Sequence, residues 1–244
     1  RTSARRAEKE GVHIVFYHGE IENADYLAQL AEISRKWLEE KGGSEMGFSM
    51  GHFELHPPDE QVTAIAVDNN EQVHAFVTFL PIYGRHGWGL DLMRRAEKTA
   101  PGCMELLLSC SIDYLKDQGG KMVSLGLAPM GNVNQDEHSS VKNIVDFLTH
   151  RFGNLSQSQS LFKFKEKFHP TWESRYLVYT NSLVLPQLGL ALFAAHQPDA
   201  SWLAVLRESI QDWLAKRAER QSAPRPEISL AGATTHPGTG KLVL

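Results

Sequence analysis

The sequence predicts a mixed α/β fold: a mostly antiparallel central sheet with helices on both faces. Three observations predict it. Three strand-like runs follow one another between Val62 and Met93, a separate alternating run precedes them, and long stretches with helical apolar spacing lie on either side.

The elements are justified in order along the 244 residues. Residues 1–10 form a basic helical end that Gly11 stops; Arg1, Arg5, Arg6 and Lys9 give it a positive face. Val12, Ile14 and Phe16 alternate with polar residues, as in a half-buried strand. From Ala24 to Lys41, Leu27, Leu30, Ala31, Trp37 and Leu38 share one helical face, and Gly42-Gly43 ends the helix. Ser44–Glu60, with its glycines, histidines and prolines, reads as a loop with short extended pieces. Val62–Val67, Val73–Leu80 and Gly87–Met93 are strands, joined by a turn at Asp68-Asn69-Asn70 and a loop at Pro81–His86. Cys103–Gln118 is a helix striped by Met104, Leu107, Leu108, Ser111 and Leu115, and capped by Gly119-Gly120. Val123–Leu127 is a buried strand and Val141–Phe152 a helix; residues 153–161 are polar and carry no element. The Lys-rich Phe162–Phe168 leads to a strand at Ser174–Tyr179, then helices at Leu185–Ala195 and Ser201–Arg220. The organisation expected is therefore a basic helix end at 1–10, one domain at 11–220, and a poorly ordered tail at 221–244.

Composition sets bounds. The apolar fraction of 42% and charged fraction of 22% are those of a globular protein with a real core. A net charge of -4 excludes a generally basic nucleic-acid coat, so RNA or anionic lipid would have to meet local patches. Cys103 and Cys110 stand two helical turns apart, ~10 Å, too far for a disulfide, and read as small buried residues. No apolar run is long enough to span a bilayer, so the chain is expected to be soluble as given. It begins at Arg1, as a piece of a longer protein would. There is no H-E-x-x-H, no Cys/His cluster and no G-x-S-x-G, which argues against a metal site or a serine hydrolase.

Five segments carry functional side chains. Gly87–Arg95 ends a strand with Asp91 and Arg94, a carboxylate suited to an ammonium and a guanidinium suited to a phosphate. On this segment alone a structural ion pair is the plainer reading. Phe162–Phe168 alternates aromatic and mostly basic residues, so that Lys163, Lys165 and Lys167 would share a face able to neutralise phosphates. His169–Tyr176 adds Glu173 and Arg175. Gly47–Phe53 holds Ser49 and His52 between glycines that allow close backbone approach. Leu125–Asn132 is a strand end opening into small residues, with Met130 and Asn132, past which a substrate could thread.

The strings KGGSEMGFSMGHF (41–53), GLDLMRR (89–95), SLGLAPMGN (124–132) and FKFKEKFHPTWESRYLVY (162–179), in that order, resemble the C-terminal domain of the multiple peptide resistance factor family. That family comprises the phosphatidylglycerol lysyl- and alanyltransferases. The resemblance runs from about residue 5 to about residue 190. It implies an acyltransferase fold of the GCN5-related N-acetyltransferase (GNAT) type. It also implies a parent with an N-terminal membrane part and a first GNAT-like subdomain, working at the cytoplasmic side of the cell membrane.

The implied reaction moves an amino acid from aminoacyl-tRNA to a hydroxyl of phosphatidylglycerol. No cofactor is implied, and the R/Q-x-x-G-x-G/A loop that holds coenzyme A in acetyltransferases is missing from the sequence. By resemblance Asp91 binds the α-ammonium of the donor, and Arg94 and Lys165 engage the tRNA terminus or the lipid phosphate. Ser49, His52, Met130, Asn132, Lys163, Lys167, Glu173 and Arg175 complete the substrate-binding set. His52 is the residue type suited to a general base at neutral pH, and proton transfer within the substrates is an equal alternative. Rival readings are a Fem-type peptidyltransferase with the same donor, a non-catalytic tRNA- or membrane-binding module, and, last, a small-molecule N-acyltransferase. The amino acid transferred is left open.

Overall fold

The computed structural model describes residues 2–41, 45, 51–128 and 155–173, with isolated positions between 178 and 195. The elements are α1 (Thr2–Lys9), β1 (His13–His18), α2 (Ala24–Lys41), β2 (Val62–Val67), β3 (Val73–Ile82), β4 (Gly87–Arg95), α3 (Cys103–Asp117), β5 (Met122–Ser124) and α4 (Leu155–Glu166). The strands form one sheet in the order β1-β2-β3-β4-β5. β1 to β4 are antiparallel, and β5 joins β4 in parallel. This is the expected fold class. The expected helices at Val141–Phe152 and Ser201–Arg220 and the tail at 221–244 lie outside the described residues, as does most of Ser174–Tyr179.

Local chemistry explains the boundaries. Asn23 caps α2: its side-chain oxygen accepts the N–H groups of Asp25 (3.0 Å) and Tyr26 (3.1 Å). The β2–β3 turn closes on Asp68, whose carboxylate accepts the N–H groups of Asn70 (2.8 Å) and Gln72 (3.0 Å). Gln29 of α2 clips this turn by accepting the Val73 N–H at 2.8 Å and donating to the Glu71 carbonyl at 3.0 Å. α3 starts at Gly102, whose φ of +84° is left-handed and whose missing side chain leaves room for the Ser3 carbonyl of α1.

The sheet is buried on both faces. One face carries Ala64, Ala66, Val77 and Phe79 against Ala7 of α1, Leu106, Leu107 and Leu108 of α3, and Phe164 of α4. The other carries Ile65, Val67, Phe76 and Leu92 against Tyr26, Leu30 and Ile33 of α2 and the ring of Phe53. Every residue of β2 is buried, which is why it lacks the polar alternation of β1. Both cysteines are free, and burial pushes the Cys103 thiol up to about 12.

Two elements depart from expectation. β5 spans only Met122–Ser124 and is half-buried, where a buried strand was expected at Val123–Leu127. Residues 155–161 were expected to carry no element, yet α4 runs from Leu155 to Glu166 and absorbs the Lys-rich segment as far as Glu166. After Leu155 its apolar residues are only Leu161, Phe162 and Phe164, a stretch that a search for sustained helical periodicity passes over.

Candidate active site

The site forms where β4 outruns β5. The parallel pairing covers only Gly87 to Gly89 against Met122 to Ser124, so β5 stops while β4 continues to Arg95. On its other side β4 pairs with β3 through a bulge. Leu90 faces Phe79 and Met93 faces Val77, so that Asp91 and Leu92 together oppose the single residue Thr78. In a regular strand, residues three apart point to opposite faces. The extra residue cancels that difference and turns Asp91 to the face it shares with Thr78 and Arg94. Leu90 and Met93 meanwhile both reach the α3 side of the core. Thr78 holds the bulge together, because its hydroxyl accepts the Leu92 N–H at 3.0 Å and donates to the Asp91 carboxylate.

Asp91 is covered by the segment that leads into Phe53. The Gly51 N–H donates to its carboxylate, and a side chain on Gly51 would occupy the space the carboxylate fills. Burial pushes the Asp91 carboxyl up from the ordinary carboxylate range, opposed by the charge of His52, the Thr78 hydroxyl, the Gly51 N–H and Arg94. His52 is largely exposed and meets Glu54 at 2.7 Å.

Arg94 is 3% exposed, and its guanidinium is already engaged. It donates to Glu45 through both terminal nitrogens, at 3.1 and 2.6 Å, and to the Ser34 hydroxyl. Its carbon centre lies 4.9 Å from the ring centroid of Trp37. The grip on a substrate phosphate expected of Arg94 is therefore not what this geometry offers: a buried, bidentate partner holds the guanidinium. Glu45 also accepts the Phe53 N–H at 3.2 Å.

Lys165 is buried as well, 5% exposed. Its Nζ donates to the Leu127 carbonyl at 2.9 Å, and burial lowers its pKa to about 8. Gly126, at φ +73°, lies where a side chain would approach both this nitrogen and the Leu90 carbonyl, one residue before Asp91. The shared lysine face expected from the alternation does not form. A strand would align all three lysines, whereas on a helix Lys163 and Lys165 stand about 200° apart. Lys163 is accordingly exposed, and Lys167, just past the helix, pairs with Glu105 at 2.8 Å. Glu173 meets Arg85 at 3.5 Å. Ser49, Met130, Asn132 and Arg175 lie outside the described residues.

Reasoning from the residues passed over Glu45, Thr78, Ser34 and Trp37. A glutamate two residues after a Gly-Gly pair carries no motif, and nothing in the string GLDLMRR reveals a bulge.

A sequence model of the phosphatidylglycerol lysyltransferase C-terminal family matches residues 1–179. The chain belongs to this family. Among its relatives, an uncharacterised protein of Corynebacterium glutamicum is 30% identical over 83% of this chain and 26% of its own length. A phosphatidylglycerol lysyltransferase of Staphylococcus xylosus is 32% identical over 63% of this chain and 18% of its own. The solved structure of L-PGS from Bacillus licheniformis superposes with a TM-score of 0.66 at 26% identity, covering 80% of this chain and 59% of that one. The C-terminal domain (DUF2156) of a "Putative Lysylphosphatidylglycerol Synthetase" from Agrobacterium fabrum gives 0.61 at 26%, covering 80% and 58%. The chain thus spans about a fifth to a quarter of the length of these curated relatives. Among the described residues, no helix is long and apolar enough to cross a membrane.

Proposed function

We propose that this domain transfers an aminoacyl group from aminoacyl-tRNA to a hydroxyl of phosphatidylglycerol. The observation that carries the proposal is the seat of Asp91. It is a half-buried carboxylate held by a Thr78 hydroxyl and the Gly51 N–H on β4 past its pairing with β5, in a chain of the lysyltransferase family. Such a carboxylate suits the α-ammonium that every aminoacyl-tRNA donor carries. With the ammonium fixed, the ester carbonyl is placed for attack by the lipid hydroxyl. The new bond joins that hydroxyl oxygen to the acyl carbon. The bond to the tRNA ribose oxygen breaks, and the hydroxyl proton ends on the ribose. Lys165, with a pKa of about 8, is mostly an ammonium at neutral pH and is suited to stabilise the oxyanion or protonate the leaving oxygen.

The lipid side has its own support. Leu127, whose carbonyl Lys165 holds, is 63% exposed, and Trp172, stacked on Phe162 of α4 at 4.4 Å, is 45% exposed. Exposed apolar and aromatic side chains suit a bilayer interface.

The test is lipid analysis of cells expressing the intact gene. The wild type yields aminoacyl-phosphatidylglycerol, and Asp91→Asn lowers its formation by about a hundredfold or more, the loss expected when a substrate-orienting contact goes. Wild-type levels from Asp91→Asn would remove Asp91 from the reaction.

A further inference from the structure

We propose that Arg94 and Glu45 form a positioning clamp that acts on the reaction through Asp91, and that neither touches substrate. Four observations carry it. The Arg94 side chain is 2% exposed and spends both terminal nitrogens on Glu45, which leaves no face for a ligand. Ser34 and the Trp37 ring of α2 hold the same guanidinium, so the clamp is anchored on the helix packed beneath it. Glu45 in turn accepts the Phe53 N–H at 3.2 Å, and the Phe53 ring meets Phe76 of β3 edge-on at 5.7 Å. Gly51, two residues before Phe53, is the backbone that caps the Asp91 carboxylate. The chain of contact runs from α2 through Arg94 and Glu45 to Phe53, and from there to the N–H that holds Asp91.

The buried Arg94 Nε lacks a hydrogen-bond partner. A group recruited to bind phosphate would aim its donors at open space. This one is closed on every side by protein, with one donor forgone.

The inference rests on the aminoacyl-transfer reading for its catalytic consequence but not for its geometry, and the experiment separates the two. The groups around Asp91 are His52 beside it, Thr78 on β3, the Gly51 N–H above it and Arg94 on its own strand. In the full chain, carboxyl NMR follows the titration of Asp91 in the wild type, in Glu45→Gln, and in Glu45→Gln combined with Arg94→Gln. Removing the Glu45 charge would by itself pull the Asp91 midpoint down, because Arg94 is left less compensated. Losing the Gly51 N–H pushes it up. The clamp predicts an upward shift in Glu45→Gln, of about one pH unit. A downward shift, or none, overturns it.

The double variant keeps an amide pair without a buried charge, and so folds if either single variant is destabilised. In aminoacyl-lipid synthesis by the full-length enzyme, the clamp predicts that Glu45→Gln and Arg94→Gln each lower kcat about tenfold or more. Together they should cost no more than the worse of the two, as for residues acting through one contact. Losses that multiply would mean that Arg94 meets substrate on its own account. Should the wild type make no aminoacyl-lipid, the transfer reading falls, while the titration still decides the clamp.

Discussion

At the scale of single residues, the site depends on where charge is buried and what holds it. Gly51 is required by contact rather than by backbone conformation: any side chain there would collide with the Asp91 carboxylate. Gly51→Ala should therefore abolish aminoacyl transfer while the protein still melts cooperatively, a pairing that activity and calorimetry check together. Lys165 gives a prediction about pH. Its folded pKa of about 8 lies below the ordinary lysine value of 10.5, so between these pH values the unfolded chain holds the proton and the folded chain does not. Stability should consequently rise with pH across that window, by up to about 1.4 kcal/mol per unit. Denaturant melts of the wild type against Lys165→Met check it, since the variant should lose this slope.

At the scale of elements, the β4 bulge does the assembling. Thr78→Val keeps the volume but removes the acceptor for the Leu92 N–H and the donor to Asp91. A loss of about 1–3 kcal/mol should appear in equilibrium melts, together with a fall in kcat. Most of the sheet was readable beforehand. Val62–Val67 matches β2 residue for residue, and β3, β4 and α3 differ from expectation by a residue or two at their ends, because apolar runs bounded by glycine and turn residues report burial directly. The site was readable only in part. Asp91 and Arg94 could be picked out as a pair. However, strict alternation would have set them on opposite faces, and only the unpaired extra residue of β4 brings them together. The pairing of Arg94 with Glu45 spans 49 residues and depends on how α2 packs, which no local pattern encodes. The lysines were misjudged as a shared face because alternation of two means one face in a strand and two faces in a helix.

At the scale of the whole molecule, the described residues form a sheet packed on both faces, in which β4 runs on past its short pairing with β5. Truncating Leu107, fully buried at the centre of α3, should cost about 2–5 kcal/mol in a Leu107→Ala melt without altering the Asp91 titration. The proposed lipid face rests on the exposed side chains of Leu127 and Trp172. Trp172→Ala and Leu127→Ser should weaken sedimentation of the full chain with phosphatidylglycerol vesicles. The chain is only part of the length of its relatives, so turnover belongs to the intact gene product. The most direct test of the central claim is therefore transfer by that product, purified and given charged tRNA and phosphatidylglycerol vesicles, with and without Asp91→Asn. The account predicts labelled aminoacyl-lipid from the wild type and near-complete loss in the variant, with tRNA and vesicle binding retained. Equal product from both proteins would contradict it.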